Sequence, residues 1–106
     1  MDIKHRSSRL IENIDELTDL LKALANKTRL IILDHLINGE ISVGELARIA
    51  DLSQSTLSQH LGRLRSVHLV TARRDAQNVY YSISSPKVRK MLAVLSNFYV
   101  SEIKAR

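Results

Sequence analysis

SVGELARIADLSQSTLSQHLGRLRS, residues 42–66, is the stretch whose reading decides the fold. Ser42-Val43-Gly44-Glu45 has the form of a capping box, in which the Ser side chain takes a backbone N–H and the Glu reaches back. A short helix therefore starts near Val43, turns Val43, Leu46, Ala47 and Ala50 inward, and stops around Asp51-Leu52. Ser53 is the next N-cap candidate, opening a helix to about Ser66 with Leu57, Leu61 and Leu64 on one stripe. Two short helices joined by so tight a turn have helix-turn-helix spacing.

The second of these helices has an unusual polar face. With Leu57 at the centre of the buried stripe, a step of 100° per residue puts Leu61 and Leu64 beside it. Ser55, Ser58, Gln59 and Gly62 fall on the opposite side, and Gln54 lies exposed in the first turn. A solvated helix face is usually built of Glu and Lys; this one is small hydroxyls, glutamines and a glycine. Gln can bond adenine N6 and N7 as a bidentate pair, and Ser can donate to or accept from several base edges. Gly62 allows a close approach to a DNA backbone, and the N–H groups at the helix start can hold a phosphate. The plainer alternative is a helix that is merely polar.

Working outward, Leu10, Ile14, Leu17, Leu21 and Leu24 recur at helical spacing, which predicts a helix from about Ser8 to Ala25. Asn26-Lys27-Thr28 interrupts it, and Leu30, Ile31, Leu33, Leu36 and Ile37 form a second helix that Asn38-Gly39 ends. Beyond Ser66 the period drops to two. His68–Arg74 and Asn78–Ile83 read as strands, with Asp75-Ala76-Gln77-Asn78 as a polar hairpin tip. Ser85-Pro86 starts a last helix carrying Val88, Met91, Leu92, Leu95, Phe98 and Tyr99. The expected fold is mainly α with a small β-hairpin, a winged helix-turn-helix of four helices, two strands and a final helix. It occupies 1–106 as a single domain, with long helices near both ends at about 8–25 and 86–103.

A chain of 106 residues, 44% hydrophobic and 25% charged, fits one domain with a modest core. Its longest apolar run, Met91 to Leu95, is far short of the ~18 residues a membrane span needs. No apolar stretch follows Met1, so the expectation is a cytoplasmic protein without a secretory signal or a membrane partner. With no Cys, disulfides, thiolate metal sites, cysteine nucleophiles and thiol redox sensing are all excluded. The net charge of +5 is only a weak pointer to an anionic partner, but its distribution says more. Leu52 to Arg74 holds four Arg and no acid, whereas the first helix carries Glu12, Asp15, Glu16 and Asp19. That asymmetry suggests a face kept clear for a polyanion, against the alternative of an unevenly charged solvated surface. Arg73 and Arg74 beside a hairpin tip are placed as a wing places them, to reach phosphates or the minor groove, although such pairs also blunt an edge strand.

Several segments, ALANKTRL (23–30), SVGELA (42–47), LSQSTLSQHL (52–61) and VYY (79–81), resemble the ArsR/SmtB family of winged-helix repressors in order and spacing. The likeness covers about residues 15–100, and Ser53–Leu61 with Arg73–Gln77 is most like the NolR and HlyU type. It implies a homodimeric bacterial repressor on a double-stranded, pseudo-palindromic DNA operator. Lys27 stands where the family often has Pro, a departure that concerns only the entry into the second helix. The family's metal positions fall here on Ser42 and Gly44, and on Ser85, Lys87, Phe98 and Ser101, which make no plausible zinc or thiophilic-metal set. No two of His5, His35, His60 and His68 have metal-binding spacing on one helix, and His60, near the buried stripe, reads as packed or hydrogen-bonded. No metal and no cofactor is expected.

There is no phosphate loop, nucleophile elbow or acid–base pair, so an enzyme is not expected. The expected DNA contacts are Gln54, Ser55, Ser58, Gln59, Arg63, Arg73, Arg74 and Gln77. The expected dimer interface is Leu10, Ile14, Leu17, Leu92, Leu95, Phe98 and Tyr99, because the first and last helices carry more apolar surface than a small core absorbs. The competing reading is a winged-helix module for protein or RNA contact. No residue pattern names a small-molecule inducer.

Overall fold

The computed structural model describes residues 12–104, and the side chains of 12–98. Its helices are α1 (Ile14–Leu24), α2 (Lys27–Leu36), α3 (Val43–Ala50), α4 (Gln54–Ser66) and α5 (Pro86–Lys104). Its strands are β1 (Ile41–Ser42), β2 (Val70–Asp75) and β3 (Asn78–Ile83). The expected order holds, with one addition. The hairpin is extended to a three-stranded antiparallel sheet, β1-β3-β2, in which Ile41 pairs with Tyr81 and Ser42 with Tyr80. A two-residue strand is too short to show a period, so the sequence pattern gave no sign of it.

Local chemistry sets most of the helix starts. Asn26 Oδ1 accepts from the Arg29 N–H at 3.0 Å, Ser53 Oγ from Thr56 at 3.1 Å, and Ser85 Oγ from Val88 at 3.2 Å. Lys27 sits at the first position of α2, where Pro would be equally at home because that N–H has no partner inside the helix. Only half of the predicted capping box forms. Ser42 Oγ accepts from the Glu45 N–H at 3.3 Å, but the Glu45 carboxylate turns away to Arg48, at 2.9 and 2.5 Å.

The helix ends differ from expectation in one place. Asp51 ends α3 in the left-handed region at φ 56°, its N–H bonding the Arg48 carbonyl while the Leu52 N–H bonds that of Ala47. α4 ends in the same way on His68, at φ 62°, with His68 N–H to the Arg65 carbonyl and Leu69 N–H to Leu64. His68 is therefore a helix terminator and not the first residue of a strand; β2 begins at Val70. Apart from Gly and Asn, Asp and His are among the residues that tolerate this conformation best.

The core lies where α2, α3 and α4 meet the sheet and the start of α5. Ile32, Leu33 and Leu36 from α2, Leu46 from α3, and Leu57, Leu61 and Leu64 from α4 are buried there with Leu69, Val70 and Ile83. Leu92, expected at a dimer interface, belongs to this cluster at 8% exposure and packs mainly within its own chain. It stands one turn after Val88 and next to Met91, both of which also pack against this core.

Because Leu61 is 1% exposed at the centre of this cluster, Leu61→Ala should cost roughly 2–5 kcal/mol. Urea unfolding at fixed protein concentration reads it; a loss below about 1 kcal/mol would mean that α4 is not seated as described.

Candidate nucleic-acid interface

α4 is fixed at its start and along its length. The Ser53 cap, with its hydroxyl also donating to Thr56 Oγ1 at 2.9 Å, closes the first turn. Leu57, Leu61 and Leu64 lock the rotation of the helix. Gln54, Ser55, Ser58, Gln59 and Gly62 are all exposed, as the helical arithmetic expected. Beside them, Gln54 and Ser58 share one groove with Ser42 and Gly44 at the start of α3, and with Gln77, Val79 and Tyr81 of the hairpin.

The hairpin register divides the two wing arginines. Arg73 stands opposite Tyr80 and Arg74 opposite Val79. Directly paired residues share a sheet face and neighbours in a strand alternate, so Arg74 lies on the face of Val79 and Tyr81 that lines the groove. Arg73 lies on the reverse face. There its guanidinium sits 4.6 Å over the Tyr80 ring and grips Glu40 with Nε–Oε2 at 3.1 Å and Nη2–Oε1 at 2.5 Å. This hydrogen-bonded guanidinium holds the Glu40 carboxyl below the ordinary glutamate range. The Arg74 side chain makes no hydrogen bond or ion pair among the described residues. Gln77, at the exposed tip, opens onto the groove.

Arg63 behaves unlike the other expected contacts. It is half-buried, and its Nη2 reaches back to the Asp19 carbonyl of α1 at 3.5 Å. Sequence reasoning missed Arg29, which ties three elements together. Its Nε donates to the Ala23 carbonyl at 2.6 Å and its Nη2 to Lys22 at 3.2 Å, closing the end of α1. Its Nη1 comes within 3.5 Å of Nδ1 of His60 on α4. His60 is accordingly half-buried and hydrogen-bonded. Glu40 was missed too. The available signal was weak in both cases: an Asn26 cap three residues before Arg29, and a lone acid before a β-rich dipeptide.

Among the described residues no group of three or more His, Asp or Glu comes together in a way that could hold a metal. Ser42 and Gly44 lie at the start of α3, Ser85 and Lys87 at that of α5, and Phe98 is exposed. The side chain of Ser101 lies outside the described residues.

A separate apolar surface lies on the terminal helices. Ile14 on α1 and Leu95 and Phe98 on α5 are exposed, the last two at 51% and 67%, and Leu17 is half-buried. Leu10 and the side chain of Tyr99 lie outside the described residues. Leu30 and Ile31 of α2 and Val94 of α5 are exposed as well, which the periodicity did not reveal. Leu30, Leu33 and Ile37 face Leu92 and Leu95 across an open apolar groove between α2 and α5.

Residues 26–72 match the family described as "Bacterial regulatory protein, arsR family". The chain is 49% identical over 94 residues to the "Nodulation protein NolR" of Rhizobium meliloti, covering 89% of this chain and 77% of that one. It is 51% identical over 80 residues to the "Transcriptional activator HlyU" of Vibrio cholerae, covering 76% and 74%. Its structure is similar to the homodimeric winged helix-turn-helix DNA-binding domain Mb0332 of Mycobacterium bovis. That match has a TM-score of 0.87 at 33% identity and covers 94% of this chain and 93% of the other.

A Cβ placed on Gly62 meets nothing within 4 Å. Gly62→Ala should therefore raise stability by about 0.5–1 kcal/mol through helix propensity. If the glycine serves close approach to DNA, the same variant should bind duplex more weakly, and fluorescence anisotropy beside a thermal melt separates the two. Unchanged affinity would remove that role from Gly62.

Proposed function

This chain belongs to the arsR family of bacterial regulatory proteins, and we propose that it is a homodimeric repressor that reads a pseudo-palindromic operator with α4. The observation that carries the reading is the exposed face of α4 from Gln54 to Gly62, which is neutral, polar and small while the opposite face is locked into the core. Gln54, Ser55, Ser58 and Gln59 read base edges in the major groove, where amide and hydroxyl side chains can match donor and acceptor patterns. The hairpin flanks them as the wing, with Arg74 and Gln77 toward phosphates or the minor groove. Arg63 and Arg73 add positive charge to the same acid-free stretch.

The dimer is supported by Leu95, Phe98 and Ile14, large apolar side chains left exposed on helices outside the reading unit, and by the homodimeric description of a close structural neighbour. Two copies are also what the physics asks for. One recognition helix reads only a few base pairs, and a twofold partner multiplies both affinity and specificity. The regulator works without a metal or thiol sensor: it has no cysteine, and Ser42, Lys87 and Phe98 offer zinc no ligand set.

Two measurements test these roles. Gln59→Ala should cost about 1–3 kcal/mol per half-site on the operator, relax the preference at one base pair, and leave the salt dependence nearly unchanged, since Gln has no net charge. Equal weakening on operator and scrambled duplex would contradict the reader assignment and favour a non-specific or RNA-binding module.

Leu95→Asp should give monomer by light scattering and lose operator binding in the same step. A wild-type chain that is monomeric at micromolar concentration would end the dimer proposal.

A further inference from the structure

Arg73 crosses the whole back of the sheet. It starts on β2, the free edge of the hairpin, lies over Tyr80 of the central strand at 4.6 Å, and ends on Glu40, one residue before β1. Asp75, at 4.0 Å, is its second carboxylate. Glu40 is itself anchored, because Ile41 and Ser42 are paired to Tyr81 and Tyr80. The guanidinium therefore joins the outermost strand to the loop entering α3, spanning three strands with one side chain. A bidentate Arg–carboxylate pair laid over an aromatic ring has far more directional definition than a single exposed ion pair. Arg74, one residue along and on the opposite face, has none of these partners.

We propose that Glu40 is a positioning residue of the wing: through Arg73 and Tyr80 it braces the back of the hairpin so that the opposite face carries Arg74 to the DNA beside α4. Arg73 is then a strut, and Arg74 is the contact. The inference rests on the DNA-reading assignment above. It makes a prediction of unusual sign. Glu40 is an acid on a protein that binds a polyanion, so plain electrostatics says that neutralising it strengthens binding. A brace says the reverse.

The test uses the full chain and an operator duplex obtained by selection, with affinity measured across a salt series. Arg74→Gln is the reference and should flatten the salt slope by about one per arm. Glu40→Gln should weaken operator binding at least about threefold and flatten the slope toward that of Arg74→Gln, although it removes a negative charge. Arg73→Gln should do the same, and the double variant Glu40→Gln with Arg73→Gln should be no worse than either single. The charge exchange, Glu40→Arg with Arg73→Glu, should recover part of the loss. Thermal melts should stay close to wild type, which separates bracing from unfolding. Tighter binding and a steeper slope for Glu40→Gln would overturn the proposal and make Arg73 a DNA cation restrained by Glu40. Additive losses, or no rescue by the exchange, would overturn it as well. Wild-type chain that prefers no duplex would instead remove the DNA-reading assignment, and this inference with it.

Discussion

Everything that α4 can do follows from three leucines. Leu57, Leu61 and Leu64 are at most 1% exposed, and truncating such a residue typically costs about 2–5 kcal/mol. No surface interaction of Gln54, Ser55, Ser58 or Gln59 approaches that size, so the leucines alone decide how the helix is rotated. At 100° per residue, burying that stripe forces the polar set outward. The Ser53 cap then fixes where the helix begins, and therefore the height at which each polar side chain emerges. The proposed reading by α4 needs side chains held within a narrow range of angle and distance, and packing supplies that rigidity while leaving the polar face exposed.

The rest of the scaffold closes helix ends with arginines from elsewhere in the chain. Arg29 takes the last carbonyls of α1 and also touches His60 on α4. Arg89 of α5 donates to the carbonyl of Ile37, the residue that ends α2. Each open carbonyl end would otherwise need water or a left-handed cap. Using a long side chain also ties one helix to another, so α1, α2, α4 and α5 are linked by polar bonds as well as by the core. The wing receives the same treatment from Glu40 and Arg73. A two-stranded ribbon is only marginally stable by itself, and the short β1 strand with this ion pair gives the hairpin a third attachment.

Features governed by periodicity and cap chemistry were legible in the sequence. The five helices, the hairpin, the Ser53 and Ser85 caps, and the exposure of the α4 face all followed from local patterns. Long-range partnerships were not legible. Nothing near Arg73 in the chain announces Glu40, 33 residues away, and nothing near Arg63 announces the Asp19 carbonyl. Charge counting placed Arg63, Arg73 and Arg74 in one class, whereas the fold ties Arg73 to Glu40 and Arg63 to the Asp19 carbonyl and leaves the Arg74 side chain unpaired among the described residues. Leu92 shows the matching ambiguity for apolar residues. An amphipathic helix has one apolar stripe, but α5 uses Leu92 inward while Leu95 and Phe98 remain exposed, and helical spacing cannot divide a wide stripe between a core and a partner. His68 was read as a strand residue because it precedes a β-rich run; its left-handed backbone makes it the end of α4.

The central claim is that a packed helix presents a neutral polar face to DNA, in two copies related by a twofold axis. Selection of bound sequences from a random duplex pool, read by sequencing, tests it most directly. The account predicts enrichment of a twofold-symmetric motif whose half-sites are spaced by about one helical turn, roughly 10 base pairs, or a multiple of it. A pool that stays random while still binding, or that enriches a single half-site without a symmetric partner, would contradict it.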